Sequence, residues 1–156
     1  AIGCTVFITS SSDEKLARAR LLGAAHAINY RTTPDWEKEI WKRTNKKGVD
    51  HVIEVGGGGT LGKSLACVSA GGHVALIGVL TGFGPPQDSL FPLVSKNATL
   101  SGIYVGPRDE FERMSGFVAD KGLHPVIDRT FPFEQAAEAV RYMESGSHFG
   151  KVVIRV

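Results

Sequence analysis

Short runs of apolar and β-branched residues recur along this chain, separated by more polar stretches of helix length. The runs lack a strict alternation of apolar and polar positions, which favours parallel strands covered on both faces. The predicted strands are residues 5–9, 27–30, 51–55, 73–79, 99–105 and 151–156.

The stretches between the strands have the signals that begin and end helices. Ser11 and Glu14 have capping-box spacing, and Thr33 with Pro34 suits the N-cap and first position of a second helix. Residues 61–69, 109–121 and 133–145 complete the set of predicted helices. The residues expected on buried helical faces are Leu16, Ala17, Leu21, Trp36, Ile40, Ala136, Val140 and Met143. Gly23, residues 70–72 and Gly146 are expected to end three of these helices.

The alternation of strand and helix predicts an α/β fold with a doubly wound parallel sheet. It weakens after Val105, where residues 125–132 form an extended run with two prolines that suits a sheet edge or a second subdomain. A loop at residues 81–87 follows a predicted strand, at the end of the sheet where α/β proteins bind ligands.

A glycine-rich loop follows the predicted strand 51–55 and has three interpretations. Gly57, Gly59 and Gly62 satisfy GxGxxG, the fingerprint of a dinucleotide site, but the next strand ends without the expected acid. Residues 54–59 also resemble the first motif of S-adenosylmethionine-dependent methyltransferases, which need a similar acid. The third interpretation is a turn that packs closely against its neighbour.

Composition excludes several classes of function. Lys plus Arg number 18 against 16 for Asp plus Glu, and the net charge of +2 argues against a nucleic-acid partner. The chain has no apolar run of membrane-spanning length, so no membrane partner is expected. Cys4 and Cys67 form no CxxC pair, which favours a cytoplasmic protein without a metal framework.

Three segments together resemble the medium-chain dehydrogenase/reductase family of zinc-type alcohol dehydrogenases and quinone oxidoreductases. They are residues 9–30, 48–79 and 122–154. The resemblance implies that residues 1–105 are an incomplete Rossmann-type NAD(P)-binding domain that lacks the first strand and the glycine fingerprint. Residues 106–156 would then return to the catalytic domain, and residues 56–59 would be a later strand-end loop.

The resemblance also implies an activity. The expected function is NAD(P)-dependent hydride transfer to or from a small alcohol, aldehyde, ketone or quinone, by an intact protein that is a homodimer. Zinc ligands, if this member has them, would precede Ala1, and these 156 residues alone would be inactive. The alternatives are an S-adenosylmethionine binder and a non-catalytic nucleotide-binding fragment. No residue is identified as catalytic.

The resemblance further implies a set of cofactor contacts. Ser10, Lys15 and Tyr30 match the residues that hold the 2′-phosphate in NADPH-using quinone oxidoreductases, which favours NADP with NAD as the alternative. A capping serine, a solvated lysine and a space-filling tyrosine would explain the same residues without a ligand. The remaining predicted contacts are Val55 and Gly56 at the cofactor ribose, Gly78 and Val79 at the nicotinamide, and Lys151 from the C-terminal segment.

Overall fold

A computed structural model of the chain describes residues 2–82, 84–85 and 88–156. The described residues divide into two compact units, residues 2–105 and residues 106–156. Phe83, Pro86 and Gln87, which belong to the predicted loop at residues 81–87, lie outside the described residues.

Strands and helices alternate through the first unit. Its strands are β1 (Phe7–Ser10), β2 (His26–Asn29), β3 (Val49–Glu54), β4 (Val68–Leu76) and β5 (Thr99–Gly102). Its helices are α1 (Asp13–Leu21), α2 (Trp36–Arg43), α3 (Leu61–Cys67) and α4 (Phe91–Ser95). This order confirms the predicted α/β fold, although β1 begins later, β4 begins and ends earlier, and β5 ends earlier than the sequence suggested.

All strand pairs of the first unit are parallel, as predicted. β1 pairs with β2, with Ile8 opposite Ala27. β3, β4 and β5 form a three-stranded sheet in that order, with Val74 opposite both Val52 and Leu100. Among the described residues, β1 pairs only with β2 and β3 only with β4, so each of these two strands has one edge without a strand partner.

Two hydrophobic clusters hold the first unit together. The first contains Leu61, Leu65, Val68 and Val74 and packs α3 against the β3–β4–β5 sheet. The second contains Ile28, Ile40 and Cys67 and joins β2, α2 and α3. Val52 packs against both clusters. Leu65 and Val74 are fully buried, and the burial of each stabilises the fold by about 1.5–3 kcal/mol.

Helix α1 begins one residue later than predicted. Its N-cap is Ser12, whose hydroxyl accepts a hydrogen bond from the Lys15 amide at 3.3 Å, and Ser11 has no such role. Leu16 is buried as expected, but its buried partner is Ala19, three residues on. Ala17 and Leu21 were also expected to be buried, and this prediction was wrong. Ala17 is exposed, and Leu21, the last residue of the helix, is 88% exposed.

Helix α2 also begins later than predicted. Its N-cap is Asp35, whose backbone carbonyl accepts from the amide of Lys38, whereas the Thr33 amide donates back to Asn29 at the end of β2. Thr33 therefore belongs to the turn, and Thr33-Pro34 does not start the helix. Ile40 is buried as predicted and Trp36 packs against the same cluster.

Helix α3 passes directly into β4. The helix ends at Cys67 and Val68 already has extended geometry, so residues 70–72 lie within the strand and do not cap the helix as expected. A β-carbon at Gly72 would lie 3.0 Å from the Asp50 carbonyl, which explains the glycine by close strand packing. The short helix α4, with Pro92 in its first turn, was not predicted.

The second unit contains helix α5 (Arg108–Asp120), strand β6 (Ile127–Pro132), a 3₁₀ turn, helix α6 (Ala136–Glu144) and strand β7 (Lys151–Arg155). β6 and β7 are parallel. Phe131 and Ala139 are buried, but the predicted buried face of α6 is wrong at Val140 and Met143, which are 47% and 53% exposed. Among the described residues, no helix is long and apolar enough to cross a membrane.

Candidate functional site

The parallel strands β3 and β4 end side by side, and a loop follows each of them. The glycine loop (residues 55–60) follows β3, and the second loop (residues 77–82) follows β4. Because the carboxyl ends of parallel strands form the ligand-binding edge of an open α/β sheet, these two loops mark the candidate site. Four predicted site residues lie here, Val55 and Gly56 in one loop and Gly78 and Val79 in the other.

The glycine loop is organised around a buried carboxylate. Glu54, the last residue of β3, is 4% exposed. Its Oε1 atom accepts hydrogen bonds from the amides of Gly56 at 2.7 Å and Gly57 at 3.0 Å, and from the hydroxyl of Thr60 at 2.7 Å. Its Oε2 atom accepts from the hydroxyl of Ser64 in α3. The sequence analysis missed this role, although a charged residue ending an apolar strand was a usable signal, since buried charges need partners.

Thr81 joins the two loops. Its hydroxyl accepts from the Gly59 amide at 2.9 Å and donates to the Gly56 carbonyl at 2.8 Å. Backbone hydrogen bonds add to this contact, from the Thr81 amide to Gly56 at 2.7 Å and from the Leu80 amide to Val55 at 3.2 Å. The two loops therefore have one fixed relative position.

The glycines of the loops are explained by close packing. A β-carbon at Gly78 would clash with the Val55 carbonyl, and one at Gly57, whose φ is +89°, would lie 2.9 Å from the Val79 α-carbon. The amides of Gly56, Gly57 and Gly59 are already bound to Glu54 and Thr81, so they do not form a cradle for pyrophosphate. The structure thus supports the close-packed turn and not the GxGxxG fingerprint.

A small cavity lies between the two loops. It has a volume of about 210 Å³ and is lined by glycines of both loops together with Leu61, Leu76 and Val79. Val55 and Val79 are 47% and 41% exposed at this edge of the sheet. The edge therefore presents backbone and small apolar groups to a ligand, with few charged side chains.

A second strand-end site lies on the β1–β2 sheet. Ser10 ends β1 and Tyr30 follows β2, and the Tyr30 amide donates to the Ser10 carbonyl at 3.1 Å. The Ser10 hydroxyl accepts from the Ser12 amide at 3.2 Å, and Lys15 lies in the first turn of α1. The structure thus brings Ser10 and Tyr30 together, and Lys15 lies in the first turn of the helix that follows β1.

An acid that the sequence analysis did not consider lies near this second site. Asp13, the first residue of α1, accepts a hydrogen bond from the Asn29 side-chain amide at 2.8 Å. The Asn29 carbonyl-type oxygen in turn accepts from the Arg31 amide at 3.0 Å. These contacts fix the turn after β2, where Tyr30 lies.

Lys151 begins β7 in the second unit, where its amide donates to the Val126 carbonyl at 2.8 Å. Its side chain is exposed. Its predicted cofactor contact stays a prediction.

Comparison with known proteins decides the family. Residues 22–154 match the family described as zinc-binding dehydrogenase, which is more than half of the chain. The chain belongs to this family. The resemblance to medium-chain dehydrogenases/reductases is confirmed, and the methyltransferase alternative is not supported.

Individual relatives agree with this assignment. This member of the zinc-binding dehydrogenase family is 44% identical over 159 residues to a zinc-type alcohol dehydrogenase-like protein of Schizosaccharomyces pombe, covering 100% of this chain and 46% of that protein. A 2-haloacrylate reductase of a Burkholderia species is 34% identical over 166 residues, covering 98% of this chain and 48% of that protein. The crystal structure of an NAD-dependent alcohol dehydrogenase, 31% identical, has a TM-score of 0.87 and is matched over 99% of this chain and 44% of that one. The chain spans about half the length of these relatives.

The family implies a nicotinamide cofactor and a zinc ion. The described residues suit part of a cofactor site but offer no zinc site. The β3–β4 edge has a cavity of about 210 Å³, lined by glycines, Leu61, Leu76 and Val79, which fits part of a cofactor bound through backbone and small apolar groups. Zinc has no corresponding site, since no group of three or more His, Cys, Asp or Glu side chains among the described residues could hold a metal. His51 and His73 lie opposite each other on β3 and β4, their ring centroids 6.1 Å apart. No step of a reaction is therefore assigned to zinc in this part of the chain.

The two cysteines are free thiols, and Cys67 lies in an environment that does not suit a nucleophile. Cys4 is exposed and Cys67 is buried in the second hydrophobic cluster. Burial raises the pKa of the Cys67 thiol to about 12, and nearby Lys96 only partly opposes this effect. Because the reactive form of cysteine is the thiolate, Cys67 is a packing residue of this dehydrogenase-family chain.

Proposed function

We propose that the intact protein transfers hydride between NADP(H) and a small alcohol, aldehyde, ketone or quinone, and that this chain supplies part of the cofactor site. The observation that carries the proposal is the pair of strand-end loops locked together at the β3–β4 edge in a member of the zinc-binding dehydrogenase family. The names of relatives support reduction or oxidation of small molecules, since they include an alcohol dehydrogenase-like protein and a 2-haloacrylate reductase.

The bound cofactor would supply the hydride chemistry through its nicotinamide ring. The chain would contribute orientation. Val55 and Gly56 would border the ribose, and Gly78 and Val79 the nicotinamide, where backbone donors and acceptors suit a carboxamide. Lys151 remains a further proposed contact of the cofactor.

Choice between NADP and NAD is assigned to the β1–β2 sheet. Ser10 and Tyr30, held together by a backbone hydrogen bond, would hold the 2′-phosphate with Lys15. A relative of known structure is described as NAD-dependent. The carboxylate of Asp13, the first residue of α1, already accepts a hydrogen bond from the Asn29 side chain. We therefore retain NADP as the cofactor that these side chains favour.

The proposed homodimer would form through β5. Among the described residues β5 pairs only with β4, which leaves its other edge without a strand partner. Tyr104 and Val105, just after the strand, are 96% and 79% exposed. Light scattering of the intact protein would test this part, and a monomer at working concentrations would contradict it.

Thermal shift measurements separate the proposed function from its alternatives. The melting temperature of the intact protein should rise most with NADPH, less with NADH and not at all with S-adenosylmethionine, since ligands that bind the native state stabilise it. Oxidation of NADPH in the presence of aldehydes, ketones and quinones should then identify the substrate class. Stabilisation by S-adenosylmethionine alone, or by no nucleotide, would overturn the proposal.

A further inference from the structure

The two strand-end loops depend on side chains that the predicted cofactor contacts do not include. We infer that Glu54 and Thr81 are positioning residues, which hold the glycine loop and the second loop in the shape that binds the cofactor. This inference rests on the proposed function for the identity of the ligand. The fixed shape of the loops is a separate claim and can be tested without any ligand.

Glu54 restricts the glycine loop to one conformation. Its buried carboxylate accepts from two consecutive loop amides, Gly56 and Gly57, and from the Thr60 hydroxyl. Any other course of the loop would leave a buried carboxylate and several loop donors unpaired, which is unfavourable. The contact with Ser64 ties the same carboxylate to α3, so the loop is fixed to the body of the first unit.

Thr81 fixes the second loop to the first. Its hydroxyl uses both its acceptor and its donor capacity on the glycine loop, at Gly59 and Gly56. Val cannot reproduce either bond although it has nearly the same shape, whereas Ser retains the hydroxyl. Because Thr81 is exposed, its replacement removes these bonds without opening a cavity in the hydrophobic core.

The two residues act at the place where the proposed contacts converge. The Gly56 amide donates a hydrogen bond to Glu54 Oε1, and the Gly56 carbonyl accepts one from the Thr81 hydroxyl. Val55 accepts from the Leu80 amide, and Gly78 lies against the Val55 backbone. A loop that is already in its bound shape does not lose conformational freedom when the ligand binds, which favours affinity.

The test compares Thr81→Val with Thr81→Ser. Thr130→Val is the matched control, since Thr130 is an exposed strand threonine of the second unit whose side chain forms no hydrogen bond with any described residue. Three quantities are measured for each variant of the intact protein: the melting temperature, the amide exchange rate of Gly59 without ligand, and the Kd for NADPH and NADH. Glu54→Gln is measured in parallel and should lower the melting temperature, because an amide cannot accept from all four donors.

Thr81→Val should accelerate exchange of the Gly59 amide and weaken binding of the preferred dinucleotide by about tenfold, with little change in melting temperature. Thr81→Ser and Thr130→Val should match the wild type. A Thr81→Val protein with wild-type exchange or wild-type affinity would overturn the inference, as would a Thr81→Ser protein that behaves like Thr81→Val. A wild-type protein that binds neither dinucleotide would overturn the proposed function and the cofactor role of Thr81. Unchanged exchange of the Gly59 amide in Thr81→Val would refute the separate claim that Thr81 fixes the shape of the loops.

Discussion

The ammonium nitrogen of Lys96 lies 4.9 Å from the centre of the Trp41 ring, and both side chains donate hydrogen bonds to backbone carbonyls at the end of α3. Trp41 Nε1 donates to the Ala66 carbonyl at 2.5 Å. Lys96 Nζ donates to the same carbonyl at 2.5 Å, to Val68 at 2.8 Å and to Leu65 at 3.2 Å. The last turn of a helix leaves its carbonyls without partners in the helix, and here two side chains from other elements bind them.

Lys96→Met should destabilise the first unit. The substitution keeps an apolar side chain over Trp41 but removes the donor for three carbonyls, and loss of such bonds costs about 1–3 kcal/mol. Urea unfolding of the variant measures the difference. Lys47→Met is the control, because the side chain of Lys47 is exposed and forms no ion pair or hydrogen bond within the part of the chain that the structure describes. Equal stability of the two variants would show that Lys96 does not bind the helix end in solution.

Cys67 should make stability depend on alkaline pH. Burial raises the pKa of its thiol from 9.0 to about 12, so the unfolded chain loses this proton at lower pH than the folded chain. The contribution of Cys67 is therefore fully present below pH 9 and is lost as the pH rises toward 12. The free energy of unfolding, measured against pH across this range, should fall less steeply in Cys67→Ala than in the wild type.

Ser10→Asp should shift cofactor preference from NADPH toward NADH. The new carboxylate would lie at the end of β1 beside Tyr30, where it would repel a 2′-phosphate. Because Tyr30 is 44% exposed, solvent screens this repulsion. We expect a change of about tenfold in the ratio of kcat/KM values, about 1.4 kcal/mol.

Ser115→Asp provides the control for added charge, since Ser115 is exposed on α5 in the second unit. It should leave the cofactor ratio unchanged. An unchanged ratio in Ser10→Asp as well would mean that the phosphate does not bind at the end of β1.

Gly56→Val should lower stability even without a cofactor. Its β-carbon would clash with the Thr60 hydroxyl and lie 3.1 Å from Glu54 Oε1, so the glycine loop must shift. Overpacking of this kind costs about 1–3 kcal/mol. The melting temperature measures the effect, and the Kd of the folded fraction shows whether cofactor binding changes too. In Gly116→Ala, where a β-carbon meets no atom within 4 Å, stability should be maintained or increase.

The alternation of strands and helices was predictable because short apolar runs and helix-length polar stretches follow the periodicity of the elements. The helix starts were less predictable. Ser11 and Ser12 both suit an N-cap, and only the structure shows that Ser12 receives the Lys15 amide. The predicted burial of Val140 on α6 was wrong, because apolar spacing alone does not show which side of a helix packs against a neighbour.

The supporting contacts of the candidate site were not predictable from the sequence. Family resemblance selected Val55, Gly56, Gly78 and Val79, which the structure brings into adjacent loops, and their contact with a cofactor stays a prediction. It did not reveal Thr81, because a threonine in a loop has no sequence pattern that announces two hydrogen bonds to a segment more than 20 residues away. Only the parallel pairing of β3 with β4 brings these loops together.

Helix α3 passes directly into β4, and the register of β4 against β3 then shifts between the pairs Val49–Val68 and His51–His73. Over this stretch β4 contains three more residues than β3, so its start is irregular and its end is regularly paired. In a strand, successive side chains point to opposite faces, so a single residue inserted between His73 and Val74 would turn Val74 away from the core. We therefore expect natural relatives to differ in length before His73 rather than within the regularly paired end of β4.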